Sequence, residues 1–288
     1  MMRIGVRAHD FGKLPAEELA ARISARGLSC VQLALSKAIA GIDLKPGELN
    51  PGMAFHIGQA FHRHGLQIAV LGCYINPIHP DPEIRRALLD LFKEHLRYAR
   101  DFGCGVVALE TGSVSADYSY HPDNRGEPAF QMFLSSIARL VQEAESFGVI
   151  VGIEGVTNHV VPTPASMRKV LDAIGSNHLQ VVFDPVNLLS ADNCRDQDRI
   201  MKEAFDLYGD RIVAVHAKDF IAEKGEWKTV RAGRGSLNYG LLLGLIRQRK
   251  PYVNMLLEEA AEDTVEECLR FLQIGQLGGS EFQRCGRF

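Results

Sequence analysis

The chain has 288 residues, of which 46% are hydrophobic and 23% are charged, and its 32 Lys and Arg against 35 Asp and Glu give a net charge of −3. This composition is that of a globular protein with enough apolar residues for a sizeable core, and it excludes intrinsically disordered and fibrous chains. The slightly acidic balance is not that of a protein that binds the phosphate backbone of nucleic acids.

Short apolar, β-branched runs alternate with longer amphipathic stretches from one end of the chain to the other, which is the pattern of repeated β-α-β units. The eight predicted strands are Ile4–Ala8, Ser29–Leu35, Gln67–Leu71, Gly105–Glu110, Val149–Glu154, Leu179–Asp184, Ile212–His216 and Val253–Glu258. The predicted helices lie near residues 15–26, 52–64, 82–102, 127–147, 164–174, 196–208, 238–248 and 262–273. Each predicted helix is followed by a strand, except for the last.

Eight consecutive units predict an α/β fold in which eight parallel strands close into a single (β/α)8 TIM barrel. We expect the barrel to cover residues 1–277 and residues 278–288, which show no hydrophobic periodicity, to form a flexible C-terminal tail. A doubly wound open sheet is the alternative. No Gly-x-Gly-x-x-Gly follows the first strand, however, so the chain lacks the dinucleotide-binding signature of such sheets.

The longest predicted loops follow the strands instead of preceding them. They cover residues 36–50, 72–81, 111–126 and 217–236, whereas the turns that lead into strands are short. In a barrel this asymmetry places the long loops at the carboxyl ends of the strands, where the active sites of barrel enzymes form. We therefore expect the functional residues at that end.

No apolar run reaches the roughly 20 residues that span a bilayer, and the N-terminus lacks the apolar core of a signal peptide. The six cysteines are scattered singly, without a Cys-x-x-Cys pair, so we expect thiols and no disulfides. These observations predict a cytoplasmic protein with no membrane partner.

Four ionisable residues occupy equivalent positions at the ends of the last four predicted strands, and they are Glu154, Asp184, His216 and Glu258. A closed barrel brings these strand ends to one rim, and a charged group at the end of an apolar run is costly unless it is paired or bound to a metal. Three carboxylates and one imidazole therefore indicate a site for a divalent cation. Because Glu259 directly follows Glu258, either glutamate could be the fourth of these residues. We prefer Glu258 because the apolar run ends just before it and because neighbouring side chains of a strand point to opposite faces.

Short motifs surround these residues, namely Gly152-Ile-Glu154, Phe183-Asp-Pro-Val-Asn187, His216-Ala-Lys-Asp219 and Ala232-Gly-Arg-Gly-Ser-Leu-Asn-Tyr239. With Glu258, and with weaker support from Gly5-Val-Arg-Ala-His-Asp10 and Glu110-Thr-Gly-Ser113, they make the chain resemble the xylose isomerase-like barrel superfamily. That superfamily includes sugar phosphate isomerases and epimerases, ketose 3-epimerases, inosose dehydratases and, more distantly, type IV apurinic endonucleases. The resemblance extends over nearly the whole chain.

The resemblance is to members of this superfamily with one metal ion. The three-zinc endonucleases carry a histidine where this chain has Glu110-Thr-Gly-Ser113, another where it has Asn187, and an Asp-x-His pair where it has Ala232-Gly-Arg234. The four ligands of the single-metal epimerases are all present. Together with the acidic charge, this pattern argues against cleavage of abasic DNA and against a nucleic-acid partner.

The resemblance implies a divalent-metal-dependent isomerase or epimerase that removes a proton from a small sugar, sugar phosphate or keto-polyol and passes through an enediolate. One metal ion, with Mn²⁺ as the first choice and Mg²⁺, Co²⁺ or Zn²⁺ as alternatives, would be held by Glu154, Asp184, His216 and Glu258. The catalytic bases would be Glu154 and Glu258.

Further residues are expected to contact the substrate, and they are His9, Glu110, Asn187, Lys218 and Arg231. Asp219 is expected to orient a metal ligand or the substrate through a hydrogen bond, without contacting the metal itself. The sequence leaves open an inosose-type dehydratase that uses the same site, a non-catalytic metabolite-binding barrel, an endonuclease IV-like DNA repair hydrolase, and assembly into a homo-oligomer.

Overall fold

The computed structural model describes residues 2–223 and 226–276. Its strands are β1 (Arg3–Arg7), β2 (Cys30–Leu33), β3 (Gln67–Gly72), β4 (Val106–Glu110), β5 (Ile150–Glu154), β6 (Leu179–Phe183), β7 (Ile212–Glu223), β8 (Glu226–Arg231) and β9 (Asn254–Leu257). Its α-helices are α1 (Ala16–Ala25), α2 (Leu35–Ala38), α3 (Pro51–Arg63), α4 (Pro82–Tyr98), α5 (Glu127–Phe147), α6 (Pro164–Ile174), α7 (Gln197–Tyr208), α8 (Tyr239–Arg249) and α9 (Val265–Gln276).

Eight of these strands form a closed parallel barrel. Strands β1 to β7 pair in chain order, and β9 pairs with both β7 and β1, which closes the sheet. The helices between the strands cover the outside of the barrel, and apolar side chains fill the layer between helices and strands. The predicted (β/α)8 TIM barrel is therefore confirmed, and the open sheet is excluded because β1 and β6 both have barrel neighbours on each side.

The prediction was wrong for the seventh strand and for the loop that was expected over residues 217–236. Strand β7 continues to Glu223 and pairs antiparallel with β8, with Lys218 opposite Arg231 at the base of the hairpin. The rings of Phe220 and Trp227 stack on this hairpin, with their centroids 4.7 Å apart. Aromatic and β-branched residues favour strands, and here they extend the seventh strand above the rim of the barrel.

Other boundaries differ from the predicted ones by a few residues. The third of the predicted helices, 82–102, ends at Tyr98, and the last of them starts at Val265. The short helix α2 occupies the first residues of the predicted loop 36–50. Such shifts are expected because helix ends fray and periodicity locates them poorly. The predicted barrel end at residue 277 and the predicted tail 278–288 lie outside the described residues.

Small side chains fill the inside of the barrel. The interior cluster contains Cys30, Ala69, Val70, Ala108, Val182, Ala214 and Leu256. Gly5 belongs to the same crowded region, because a Cβ atom placed on it would lie 2.1 Å from the carbonyl oxygen of Cys30. Since side chains alternate along a strand, the residue two positions further along a regular strand points into the mouth of the barrel above this layer, whereas the register shift between β2 and β3 interrupts this pattern in β3.

None of the described helices has the length and apolar character needed to cross a membrane.

Replacing Gly5 with Ala tests the close packing of β1 against β2. The added methyl group must displace the backbone at Cys30, so we expect the free energy of unfolding to fall by about 1–3 kcal/mol, as for other overpacked cores. Urea denaturation measures the change. Gly244→Ala is the control, because a Cβ at Gly244 in α8 meets no atom within 4 Å. Equal stability of Gly5→Ala and the wild type would contradict the observed strand packing.

Candidate metal centre

Four buried residues meet at the mouth of the barrel. Glu154 is the last residue of β5, Asp184 follows β6, His216 lies in β7 and Glu258 follows β9. Each offers one ligand atom, and these atoms all lie within 4.8 Å of one another. Within residues 2–223 and 226–276 this is the one group of three or more such side chains that could hold a metal ion.

The alternation of the strands explains why these four side chains converge. Two residues before them stand Gly152, Val182, Ala214 and Leu256, which point into the interior of the barrel or pack against residues that do. The next residue of the same orientation must then point to the mouth. Because the four strands β5, β6, β7 and β9 are consecutive around the barrel, the four side chains lie side by side.

His216 directs one ring nitrogen at the three carboxylates. Its Nδ1 lies 3.2 Å from Glu154 Oε1, 3.1 Å from Glu258 Oε1 and 3.8 Å from Asp184 Oδ2. Burial, the largest single effect, lowers the pKa of the imidazole, but the carboxylates of Glu154 and Glu258 outweigh it and raise the pKa to about 9. The Nδ1 atom of the imidazole therefore faces a cluster of three negatively charged carboxylates.

Asp184 has one carboxylate oxygen fixed and one without a hydrogen bond. Oδ1 accepts hydrogen bonds from the backbone N–H groups of Val186 at 2.8 Å and Asn187 at 3.1 Å. Oδ2 is buried and has no hydrogen-bond partner among the described residues. The ammonium of Lys218 lies 2.8 Å from Oδ2, so the two groups form an ion pair. A carboxylate oxygen that accepts no backbone hydrogen bond and lies at the meeting point of two other carboxylates and one imidazole nitrogen fits a divalent cation.

Glu258 is held by two cations. Its Oε2 accepts a hydrogen bond from Lys218 Nζ at 2.9 Å and lies 3.3 Å from Arg7 Nη1. Burial alone would raise the pKa of this carboxyl, but Lys218, His216 and Arg7 together hold it well below its usual value. Although burial also lowers the pKa of Lys218, Asp184 and Glu258 raise it well above its usual value. Glu259, by contrast, has a side chain that is 44% exposed.

Asn187 and Glu110 flank Glu154. The amide of Asn187 donates a hydrogen bond of 2.6 Å to Glu154 Oε1. Glu110 is the last residue of β4 and pairs directly with Glu154 across the two strands, so both side chains point to the mouth. Burial and the neighbouring carboxylate of Glu154 raise the pKa of Glu110 to about 7.

His9 and Asp219 lie around the cluster. His9 follows β1, its Nδ1 is buried without a hydrogen-bond partner in the described part of the chain, and burial, with Arg7 and Lys37, lowers the pKa of its imidazole to about 4. Asp219 accepts hydrogen bonds from four backbone N–H groups, of which three belong to the segment after β8. It thus fixes the base of the hairpin.

Arg231 contacts α9 in the described structure. Its guanidinium contacts Glu267 in α9 at 3.1 Å. Its expected contact with substrate stays a prediction from the sequence, and no interaction in the described structure supports it.

Three residues of the mouth were not predicted from the sequence, namely Arg7, Gln32 and His159. For Arg7 and Gln32 a signal exists, because Gly5 and Cys30 stand two positions before them and lie in the interior layer. The same spacing separates Ala108 from Glu110. In these three strands, a small interior residue followed two positions later by a polar one marks the mouth of the barrel.

His159 belongs to the loop after β5 and was not marked by any motif. Its Nδ1 lies 3.6 Å from Glu110 Oε2, and its ring meets the edge of Tyr118 at a centroid distance of 4.8 Å. Tyr118 has a left-handed backbone with φ of 69°, which is uncommon for a residue other than glycine and occurs often at functional sites. Burial and the Arg125 guanidinium lower the pKa of His159 to about 4.

A family model described as the xylose isomerase-like TIM barrel matches residues 20–274. The chain therefore belongs to the xylose isomerase-like TIM barrel family. A curated relative, an uncharacterised protein of Methanocaldococcus jannaschii, is 22% identical over 196 residues, which are 66% of this chain and 64% of that protein. This chain thus spans slightly less than two thirds of the length of that relative.

Solved structures share the fold at low sequence identity. A D-tagatose 3-epimerase-like protein has a TM-score of 0.75 and 17% identity, covering 97% of this chain and 99% of its own. D-psicose 3-epimerase from Clostridium cellulolyticum H10 has a TM-score of 0.71 and 13% identity, covering 96% and 99%. 3-Keto-D-glucoside 4-epimerase from E. coli has a TM-score of 0.70 and 18% identity, covering 95% and 100%. At such identities the similarity establishes the fold and not the activity.

The low pKa of His159 leads to a test of its burial. An imidazole whose pKa is about 4 in the folded protein and about 6.5 in the unfolded chain stabilises the fold above pH 6.5, and this stability is lost as the pH falls towards 4. We expect His159→Phe to reduce the acid-induced loss of unfolding free energy by up to about 3 kcal/mol over this range. Urea denaturation at several pH values measures it. The matched control is His62→Phe at an exposed position in α3, and equal pH dependence in both variants would contradict the result.

Proposed function

We propose that this protein is a divalent-metal-dependent isomerase or epimerase that acts on a small ketose or keto-polyol. The observation that carries this proposal is the convergence of three carboxylates and the Nδ1 of His216 on one point at the mouth of the barrel. Solved structures of the same fold that are described as 3-epimerases and as a 4-epimerase of sugars support the substrate class. A cytoplasmic enzyme without a membrane or nucleic-acid partner is part of the proposal.

The residues that would hold the metal are Glu154, Asp184, His216 and Glu258. Carboxylate oxygens and one imidazole suit Mn²⁺ best, and Mg²⁺, Co²⁺ and Zn²⁺ are alternatives. A bound divalent cation would supply the positive charge that makes the C–H bond next to a substrate carbonyl more acidic.

Glu154 and Glu258 would transfer the proton. Strands β6 and β7 separate β5 from β9 around the barrel, so the two carboxylates reach the mouth from different sides. The low pKa of Glu258 keeps its carboxylate ionised near neutral pH but makes it a weak base, so its role in proton transfer would depend on the cation that makes the substrate C–H bond more acidic. In an epimerisation, one glutamate removes the proton from its face of the substrate and the other returns a proton to the opposite face.

The surrounding residues would orient these bases and the substrate. Asn187 holds the Glu154 carboxylate through its amide, and Lys218 holds that of Glu258. Lys218 and His9 also place hydrogen-bonding groups at the mouth, where hydroxyl or carbonyl oxygens of a sugar would lie. Glu110 would accept a hydrogen bond from a further hydroxyl group of the substrate, or donate one to it.

Glu110 also favours a second candidate, an inosose-type dehydratase. This reaction begins with the same proton abstraction, and it needs an acid that protonates the departing hydroxyl group. Because the pKa of Glu110 is raised to about 7, its carboxyl group holds a proton in part of the molecules at neutral pH. Analysis of the product separates the candidates, since a dehydratase releases water and an epimerase leaves the mass unchanged.

Removing a ligand tests the metal centre. We expect the wild type to hold about one equivalent of divalent metal per chain and Asp184→Ala and His216→Ala to lose it, together with the rise in melting temperature that metal binding to the native state produces. Metal analysis after dialysis and thermal unfolding with and without a chelator measure both. Asp206→Ala, at an exposed position, is the control.

Other metal contents would contradict this assignment. Unchanged metal in both ligand variants would show that the metal binds elsewhere. A wild type without metal would favour the non-catalytic binding barrel, and three zinc ions per chain would favour the endonuclease.

Exchange of solvent deuterium tests the roles of the two glutamates. We expect Glu154→Gln and Glu258→Gln each to stop epimer interconversion, while each remaining carboxylate still exchanges deuterium into the epimer whose proton lies on its own face. NMR of each epimer in deuterated water, with a panel of ketoses and inososes, measures this, and metal content is determined in parallel. Glu259→Gln is the control and should leave turnover unchanged. Loss of exchange in both epimers with the metal still bound would contradict the two-base mechanism.

A further inference from the structure

Gln32 is a polar residue in the middle of a fully buried strand. All four residues of β2 are buried, and the side chain of Gln32 lies two positions after Cys30 of the barrel interior, so it points to the mouth. Its residue exposure is 1%. A buried amide is costly unless all its hydrogen-bonding groups have partners, so its contacts indicate what it does there.

The two ends of the Gln32 amide have different partners. Its Nε2 donates a hydrogen bond to the hydroxyl oxygen of Tyr74 at 2.6 Å, and its Oε1 lies 2.8 Å from Nε2 of His216. An amide oxygen only accepts hydrogen bonds. With this orientation of the amide, Nε2 of His216 must therefore carry a hydrogen and donate it to Gln32.

This hydrogen bond determines what the other ring nitrogen of His216 presents. In the neutral imidazole that binds a metal ion, the single N–H stays on Nε2, so Nδ1, which carries a hydrogen of its own while the imidazole is charged, presents a lone pair to the metal. Nδ1 is the atom that lies 3.1–3.2 Å from the carboxylates of Glu154 and Glu258. If the amide turned over, its NH₂ group would face His216, and the hydrogen would move to Nδ1, where it would block metal binding.

We propose that Gln32 is a positioning residue that holds His216 in the tautomer that binds metal, and that the hydrogen bond to the Tyr74 hydroxyl anchors the Gln32 amide beside the imidazole ring. Metal-binding histidines commonly donate their second ring N–H to an oxygen acceptor, and loss of that acceptor lowers metal affinity by about 10–100-fold. The inference rests on the proposed metal centre. It adds two residues from β2 and from the segment after β3, on the side of the barrel opposite to β6.

Metal affinity of single variants provides the first test. Calorimetric titration with Zn²⁺ or Mn²⁺ should show that Gln32→Met binds the metal at least about 10-fold more weakly than the wild type, because Met keeps the side-chain length but has no amide oxygen to accept the hydrogen bond. Gln32→Glu, which retains an acceptor oxygen, should bind within a few-fold of the wild type. Tyr74→Phe keeps the ring and removes only the hydroxyl, so it should show an intermediate loss while the fold persists. Ser136→Ala, which removes another buried hydrogen bond, is the control and should bind metal normally.

A double-mutant cycle separates positioning from packing. The His216→Gln background keeps a side-chain amide oxygen as a weaker ligand that has no tautomer to fix. If Gln32 acts through His216, Gln32→Met should weaken metal binding in the wild type but have little further effect on the weaker binding in this background. Equal weakening in both backgrounds would show a packing effect and would overturn the inference. Metal binding by the wild type with unchanged affinity in Gln32→Met would overturn it as well, while leaving the metal centre intact. Absence of metal binding in the wild type would overturn the proposed function itself.

Discussion

Three carboxylates buried at one point repel each other, and the rest of the barrel mouth is arranged around this constraint. Glu154, Asp184 and Glu258 are each at most 5% exposed, so water cannot compensate their charge. Within the described residues the compensating charge comes from the imidazole of His216 and from Lys218, which contact more than one carboxylate, and from Arg7, which contacts Glu258. Removing one partner from such a group costs far more than an exposed ion pair contributes.

The strand alternation makes this arrangement compatible with a stable fold. Small residues such as Ala108 and Ala214 fill the barrel below the mouth, and the polar layer stands directly on them. Burial of polar groups is confined to one end of the barrel, where hydrogen bonds such as that from Asn187 to Glu154 satisfy them. The loops above this layer are tied down in turn, because Asp219 binds four backbone N–H groups at the base of the hairpin.

The sequence predicted the barrel and the four residues that meet at its mouth, because both depend on local patterns. A charged residue at the end of an apolar run is visible without knowledge of the fold, as in the run before Glu258. The hairpin after His216 was not predicted, since its pairing depends on the contact between Phe220 of β7 and Trp227 of β8. Gln32 was missed for a different reason: its position two residues after Cys30 marks it as a residue of the mouth, but its partner His216 is 184 residues away in the chain, so its role is visible only once the barrel is closed. The ion pair between Arg231 and Glu267 could not be predicted from the sequence either, because it depends on the position of α9 beside the hairpin.

We infer that one divalent cation binds at the point where the side chains of Glu154, Asp184, His216 and Glu258 meet. Anomalous X-ray scattering from crystals soaked in Mn²⁺ tests it most directly. We expect one strong peak at about 2.0–2.6 Å from an oxygen of each carboxylate and from Nδ1 of His216. A peak elsewhere in the molecule, several peaks at the mouth, or no peak at saturating Mn²⁺ would contradict the claim.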